Sequence, residues 1–98
     1  GVLSPERELM MFRIAQEALS NIVKHAHATK VIIIISYLPA AFRMEISDDG
    51  TGFDQNSDKA SGIGLINMRQ RVEVMNGVLQ ILSTPGSGTT LTINIPYE

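Results

Sequence analysis

The chain has 98 residues, 44% of them apolar and 18% charged, with a formal net charge of −2. That is the size of one domain around one core, too apolar for a disordered chain, and with 8 glycines and 4 prolines too poor in both for a collagen-like or linker protein. The absence of cysteine excludes a disulfide scaffold, a Cys-ligated zinc site and a thiol nucleophile.

The longest aliphatic run, Val31 to Ile35, is far short of the roughly twenty residues a membrane helix needs, and the first residues lack a basic-then-apolar targeting pattern. The mildly acidic balance gives no basic field for nucleic acid, and without tryptophan there is little to build a base-stacking platform. A cytoplasmic-type globular domain is the expectation.

In chain order, Ser4-Pro5-Glu6 reads as a helix start: a hydroxyl N-cap, proline at the first helical position and acid in the first turn. Phe12, Ala15, Leu19, Ile22, Val23 and Ala26 recur at helical spacing and predict one buried stripe, fading near His27. Lys30 to Leu38 is continuous and β-branched, which predicts a central strand buried on both faces. Phe42 to Ser47 alternates, with Phe42, Met44 and Ile46 on one face.

A glycine- and aspartate-rich stretch, Asp48 to Ser61, follows as the longest loop, and long polar loops in compact domains are usually functional. Leu65, Met68, Val72 and Met75 restart a helical stripe that stops at Asn76-Gly77. Val78 to Ser83 and Thr89 to Ile95 are two further strands joined by a Pro-Gly-Ser-Gly turn. The order α-β-β-loop-α-β-β predicts an α+β two-layer sandwich, with both helices on one face of a mixed, mostly antiparallel sheet.

Four stretches carry candidate chemistry. Glu17, Asn21, Lys24 and His25 fall within one quadrant of the first helix at about 100° per residue. A plain solvated face would look similar, but an acid, an amide oxygen, an ammonium and an imidazole together also suit hydrated Mg²⁺ with phosphates. Asp48-Asp49-Gly50-Thr51-Gly52-Phe53 could be an ordinary turn. Its two alternate glycines before a long loop instead suit close approach to a flat ligand, with Asp48 accepting a hydrogen bond. The spacing fails the EF-hand pattern.

Ser61-Gly62-Ile63-Gly64-Leu65 opens the second helix, where free N–H groups favour an anion. It is neither a dinucleotide fingerprint nor a P-loop. Arg69 and Arg71 could reach phosphate or simply be solvated. Gly86-Ser87-Gly88-Thr89 is most economically a hairpin turn. His25 and His27, two apart, point to different helix faces and do not make a zinc site, and no nucleophile elbow supports a Ser-His-Asp hydrolase.

Taken together and in this order, the stretches resemble the ATP-binding catalytic domain of bacterial sensor histidine kinases, within the superfamily that includes DNA gyrase B, MutL and a heat-shock chaperone family. Gln16 to Ala26 resembles the asparagine box, Asp48 to Phe53 the first glycine box, Ser61 to Val72 the second and Gly86 to Thr89 the third. The QEALSN form, the short lid and the GL-x-x-M-R-x-R-V helix resemble the subclass that partners helix-turn-helix response regulators.

The resemblance implies a Bergerat-type fold and an ATP and Mg²⁺ site. Asn21 would coordinate Mg²⁺, with Glu17 as metal or base support. Asp48 would accept the adenine amine, and Gly50 and Gly52 would shape the floor. Gly62 and Gly64 would form the hinge of a lid, 54–61, closing over the phosphates, and Leu65 would be among the nucleotide-binding residues. Lys24, His25 and Arg69 would meet phosphate, and Thr89 would sit beside the adenine.

The resemblance also implies a single catalytic domain, 1–98, without the dimerisation domain that carries the phosphoacceptor histidine and without a sensor region. It would be monomeric, unable to phosphorylate itself, and would act on an acceptor domain of the same kinase and only indirectly on a response regulator. It would be the cytoplasmic portion of a membrane-anchored sensor. An anti-sigma-factor serine kinase of the same fold, a nucleotide-dependent interaction module without chemistry and a plain structural domain are the alternatives.

Overall fold

In a computed structural model that describes residues 3–52 and 63–97, with the side chains of residues 25, 26, 63 and 64 also left out, the predicted element order is present. Helix α1 spans Pro5–Asn21 and continues into a π-helical turn, Ile22–Ala26. Strands β1 (Val31–Tyr37) and β2 (Ala41–Asp48) follow, then α2 (Ile63–Val74), β3 (Val78–Thr84) and β4 (Gly88–Pro96). The strands form one sheet in the order β1-β2-β4-β3, antiparallel at every pairing. The predicted lid, 54–61, lies outside the described residues, as do Phe53 and Gly62.

α1 begins as predicted. Ser4 is extended (φ −64°, ψ 158°), its hydroxyl accepts from the Arg7 N–H at 3.3 Å, and Pro5 opens the first turn. Arg7 Nη1 also donates to the Pro96 carbonyl at 2.8 Å, which pins the start of α1 to the end of β4. The buried stripe differs from the predicted one. Met11, Ile14, Ala18 and Ile22 face the sheet, whereas Phe12 is 59% and Val23 83% exposed. Of the predicted stripe Ile22 alone is fully in the core, Ala15 and Leu19 are half-buried, and the Ala26 side chain lies outside the described set. Two apolar stripes run along α1, and the one through Met11, Ile14, Ala18 and Ile22 makes the helix–sheet contact.

The second correction concerns β1. Among the described residues it stands at the edge of the sheet, and Val31 to Ile35 are 39–55% exposed rather than buried on both faces. The inner strands are the alternating ones. Phe42, Met44 and Ile46 of β2 and Leu91, Ile93 and Ile95 of β4 point into the core under the helices. Across the opposite face run polar pairs, Arg43 with Asn94 at 2.9 Å and Ser47 with Thr90 at 3.1 Å. One polar face is what alternation signals.

Met68, Val72 and Met75 carry α2 into the core as predicted. Its end splits two jobs between neighbours. Asn76 takes the left-handed conformation (φ 58°), while Gly77 supplies space, because a Cβ there would meet the Asn94 carbonyl oxygen at 2.7 Å.

Candidate nucleotide site

The direction of each element determines what meets at one end of the sheet. α1 starts against Pro96 and advances about 25 Å at the helical rise, so its last residue, Asn21, arrives at the opposite end, where β2 finishes at Asp48. α2 ends beside the start of β3, which places its first turn, including Gly64 and Leu65, toward that same end. Asp48 therefore lies at the end of the sheet toward which α1 runs and from which α2 sets out. The start of a helix, with its free N–H groups, favours an anion.

Asp48 lies opposite Thr89 on β4, and Thr89 lies opposite Ser83 on β3, so the three form a polar row on the helix-covered face just beyond Ile46, Leu91 and Ile81. Asp48 Oδ1 accepts from the Gly50 N–H at 2.8 Å, which orients the carboxylate. Ser83 Oγ and Thr89 Oγ1 are 2.8 Å apart, and Ser83 Oγ also donates to the Gly88 carbonyl at 3.3 Å. Ser83, a buried hydroxyl in an otherwise apolar region, was not singled out by sequence. Its signal is a polar residue at an inward position of β3.

The glycines join the two loops at this end. Gly52 (φ 63°) and Gly88 (φ 85°) both adopt a conformation that favours glycine. A Cβ on Gly52 would land on the Thr84 carbonyl oxygen, and one on Gly88 on the Asp48 carbonyl oxygen. Gly86 N–H donates to the Thr51 carbonyl at 2.6 Å. The third glycine stretch is thus a hairpin turn that also packs against the first. Gly50 is buried under this junction.

Asp49, adjacent to the row, fastens α1 to it. Its Oδ1 accepts from the N–H groups of Thr29 (2.8 Å) and Lys30 (2.9 Å), and its Oδ2 from the Thr29 hydroxyl (2.6 Å). These bonds, that of the Thr29 hydroxyl first, hold its carboxyl below the ordinary 3.8. The segment it grips has just left the π-helical turn through His27, a left-handed residue with φ 52°.

The remaining candidates are placed unevenly. Asn21 is half-buried, and Glu17, one turn earlier and also half-buried, faces Arg71 Nη1 at 3.6 Å. Lys24 is exposed, and the His25 side chain is outside the described set. Because the helix widens after Asn21, each residue advances by less than the 100° assumed for the predicted quadrant. Arg69 donates to the Leu79 carbonyl at 3.2 Å, four residues along β3 from Ser83 and so about 13 Å from the polar row.

Among the described residues no group of three or more His, Asp or Glu could hold a metal by itself. The donor set fits Mg²⁺ that arrives with a nucleotide. One amide oxygen and a nearby carboxylate would supplement ligands that are mostly phosphate and water.

Comparison with known proteins places this geometry. The family model described as histidine kinase-, DNA gyrase B-, and HSP90-like ATPase matches residues 6–98. The chain is 43% identical over 97 residues to the signal transduction histidine-protein kinase/phosphatase DegS of Brevibacillus brevis, covering 98% of this chain and 25% of that protein. It is 38% identical over 86 residues to the sensor histidine kinase LiaS of Bacillus subtilis (strain 168), covering 88% of this chain and 24% of that one. It therefore spans about a quarter of the length of these relatives. Among solved structures, the Erythrobacter litoralis EL346 blue-light activated histidine kinase superposes with a TM-score of 0.82 at 26% identity, over 96% of this chain and 31% of that one. The ATP binding domain of PrrB from Mycobacterium tuberculosis shares the fold, with a TM-score of 0.77 at 22% identity, over 92% of this chain and 68% of that one.

Proposed function

From the premise that this chain belongs to the histidine kinase-, DNA gyrase B-, and HSP90-like ATPase family, we propose that it binds Mg·ATP at the Asp48 end of the sheet. There it presents the γ-phosphoryl group to a histidine on a separate dimerisation domain of the same kinase. The observation that carries this reading is the oriented Asp48 carboxylate opposite Thr89, at the end of the sheet toward which α1 runs and from which α2 sets out. A carboxylate held by one backbone N–H keeps its other oxygen for a single planar donor, which suits the exocyclic amine of adenine.

Asn21, the last residue of α1 before the π-helical turn, would hold Mg²⁺, with Glu17 supporting it. Bound Mg²⁺ neutralises charge developing on the phosphates. The first turn of α2, with Gly64 and Leu65, would meet phosphate oxygens through its N–H groups, and Lys24 and His25 would add cationic character from the π-helical turn. Gly62 and the lid at 54–61 would close over the phosphates. Arg69 is better suited to tying α2 to β3 than to phosphate. In the transfer, an imidazole nitrogen of the acceptor forms a bond to the γ-phosphorus as the bond to the β–γ bridging oxygen breaks, and ADP departs with that oxygen. Such transfer depends on position and charge, and little covalent chemistry falls to the protein.

The response regulator would receive the phosphoryl group later, from the acceptor domain. By the resemblance of the QEALSN stretch and of α2, that regulator would be of the helix-turn-helix class, and the whole kinase would be a membrane-anchored sensor with this domain on its cytoplasmic side. The chain alone would not phosphorylate itself.

Calorimetric titration with ATP, ADP and GTP, with and without Mg²⁺, tests the site. We expect adenine-selective binding that Mg²⁺ strengthens for ATP. Asp48→Ala should weaken it by about 1.5–3 kcal/mol, the worth of a charge-assisted hydrogen bond. Asn21→Ala should remove the Mg²⁺ dependence. Equal affinity for ATP and GTP, or Asp48→Ala binding like the parent, refutes the assignment.

A further inference from the structure

Ser83 has no part in the reading above, yet its place in the fold is unusual. Among the described residues it is the one polar side chain in the buried set, 7% exposed, and it follows Leu79 and Ile81 on the inward face of β3. A hydroxyl buried among apolar groups costs stability unless it is hydrogen-bonded, so such a residue calls for a physical reason. Its Oγ donates to the Gly88 carbonyl at 3.3 Å and lies 2.8 Å from Thr89 Oγ1.

The proton count gives these bonds a direction. A hydroxyl has one proton to donate, and a carbonyl oxygen can only accept. The Ser83 proton goes to Gly88, so the Ser83–Thr89 contact is filled by the Thr89 proton pointing back at Ser83. The row therefore runs Thr89 to Ser83 to Gly88, away from Asp48. Thr89 and Asp48 are register partners on neighbouring strands, and opposite residues place their Cβ atoms about 4.5–5.5 Å apart. A hydroxyl on one can donate to a carboxylate on the other across that gap. Without Ser83 the Thr89 proton would turn there, because a carboxylate is a stronger acceptor than a carbonyl.

We infer that Ser83 is a positioning residue for base recognition. It draws the Thr89 proton inward and so keeps the second oxygen of Asp48 open for the amine of the base. The first oxygen is already taken by the Gly50 N–H. Ser83 acts through Thr89 and touches no ligand itself. The side chains of the row then offer acceptors to whatever enters: an exocyclic amine fits, and a carbonyl at the same place meets lone pairs. This inference rests on the amine reading of Asp48.

The test compares ATP with purine riboside triphosphate, the same nucleotide with hydrogen in place of the 6-amino group, by calorimetry in Mg²⁺. The parent should prefer ATP. Ser83→Ala frees the Thr89 proton to occupy Asp48 and should cut that preference about tenfold, the scale of one charge-assisted hydrogen bond. Affinity for the amine-free nucleotide should stay the same, whereas a loss of packing or stability would weaken both alike. Beside Thr89→Val, which leaves no proton to redirect, Ser83→Ala should have no further effect on the preference. If Ser83→Ala does not fold, the parent decides. Its Thr89 hydroxyl proton, slowed by burial, should show nuclear Overhauser contacts to the Ser83 β-protons and none to those of Asp48. A parent that binds both nucleotides equally overturns the amine reading and this inference with it. A preference that survives Ser83→Ala, an equal loss for both nucleotides, an effect that persists beside Thr89→Val, or a Thr89 proton directed at Asp48 overturns this inference alone.

Discussion

Asp49 shows how one exposed carboxylate can organise residues far apart in sequence. It gathers two N–H groups and a hydroxyl from Thr29 and Lys30, twenty and nineteen residues away. Its lowered pKa ties that grip to pH. The folded value is below the ordinary 3.8, so its contribution to stability is fully present above the unfolded pKa and is lost as pH falls through the folded one. Asp49→Asn should therefore melt at a lower temperature than the parent at pH 7, and the gap should close well below pH 3.8. A gap of constant size across that range would show that the charge is irrelevant. The motif containing Asp49 is conspicuous in the sequence but the role of Asp49 is not, because its partners become neighbours only through the π-helical turn and the left-handed His27. Neither has a signature in residue types that spacing rules read.

Helices and strands were legible as elements, less so as surfaces. The caps of α1, the alternation of β2 and the core stripe of α2 follow from local rules and are present. The face of α1 and the position of β1 do not, because each depends on which neighbour arrives. Phe12 and Ile14 are both large and apolar at helical spacing, and only the docked sheet distinguishes them. The distinction is measurable by urea denaturation. Ile14, fully buried, should lose about 2–5 kcal/mol on substitution by alanine. Phe12→Ser should fall within about 0.5 kcal/mol of the parent, as exposed positions do. Comparable losses would return Phe12 to the core. Likewise a run of β-branched residues reports a strand, but burial on both faces requires a layer packed above and below it, and among the described residues the helices cover one face of the sheet.

At the scale of the molecule, the α+β sandwich and the arrival of the first and third glycine-rich stretches at one end of the sheet could be anticipated from their order, since each sits at an element boundary and antiparallel connections return the chain to the same end. The mutual packing of the first and third stretches through Gly52 and Gly88 could not, because a hairpin turn looks the same whether or not it has a neighbour. The sheet order carries one more consequence. Asp48 and Thr89 belong to β2 and β4, the two interior strands of the described sheet, so thermal fraying that releases Ser83 with β3 leaves the Asp48–Thr89 pair in place, and that pair is lost only when the domain melts as a whole. Occupancy and global stability are then a single quantity. Nucleotide at a hundred times its dissociation constant should stabilise the fold by about 2.7 kcal/mol, raising the melting temperature and slowing limited proteolysis together. Saturating nucleotide that left the melting temperature unchanged would mean that the pair comes apart before the domain does.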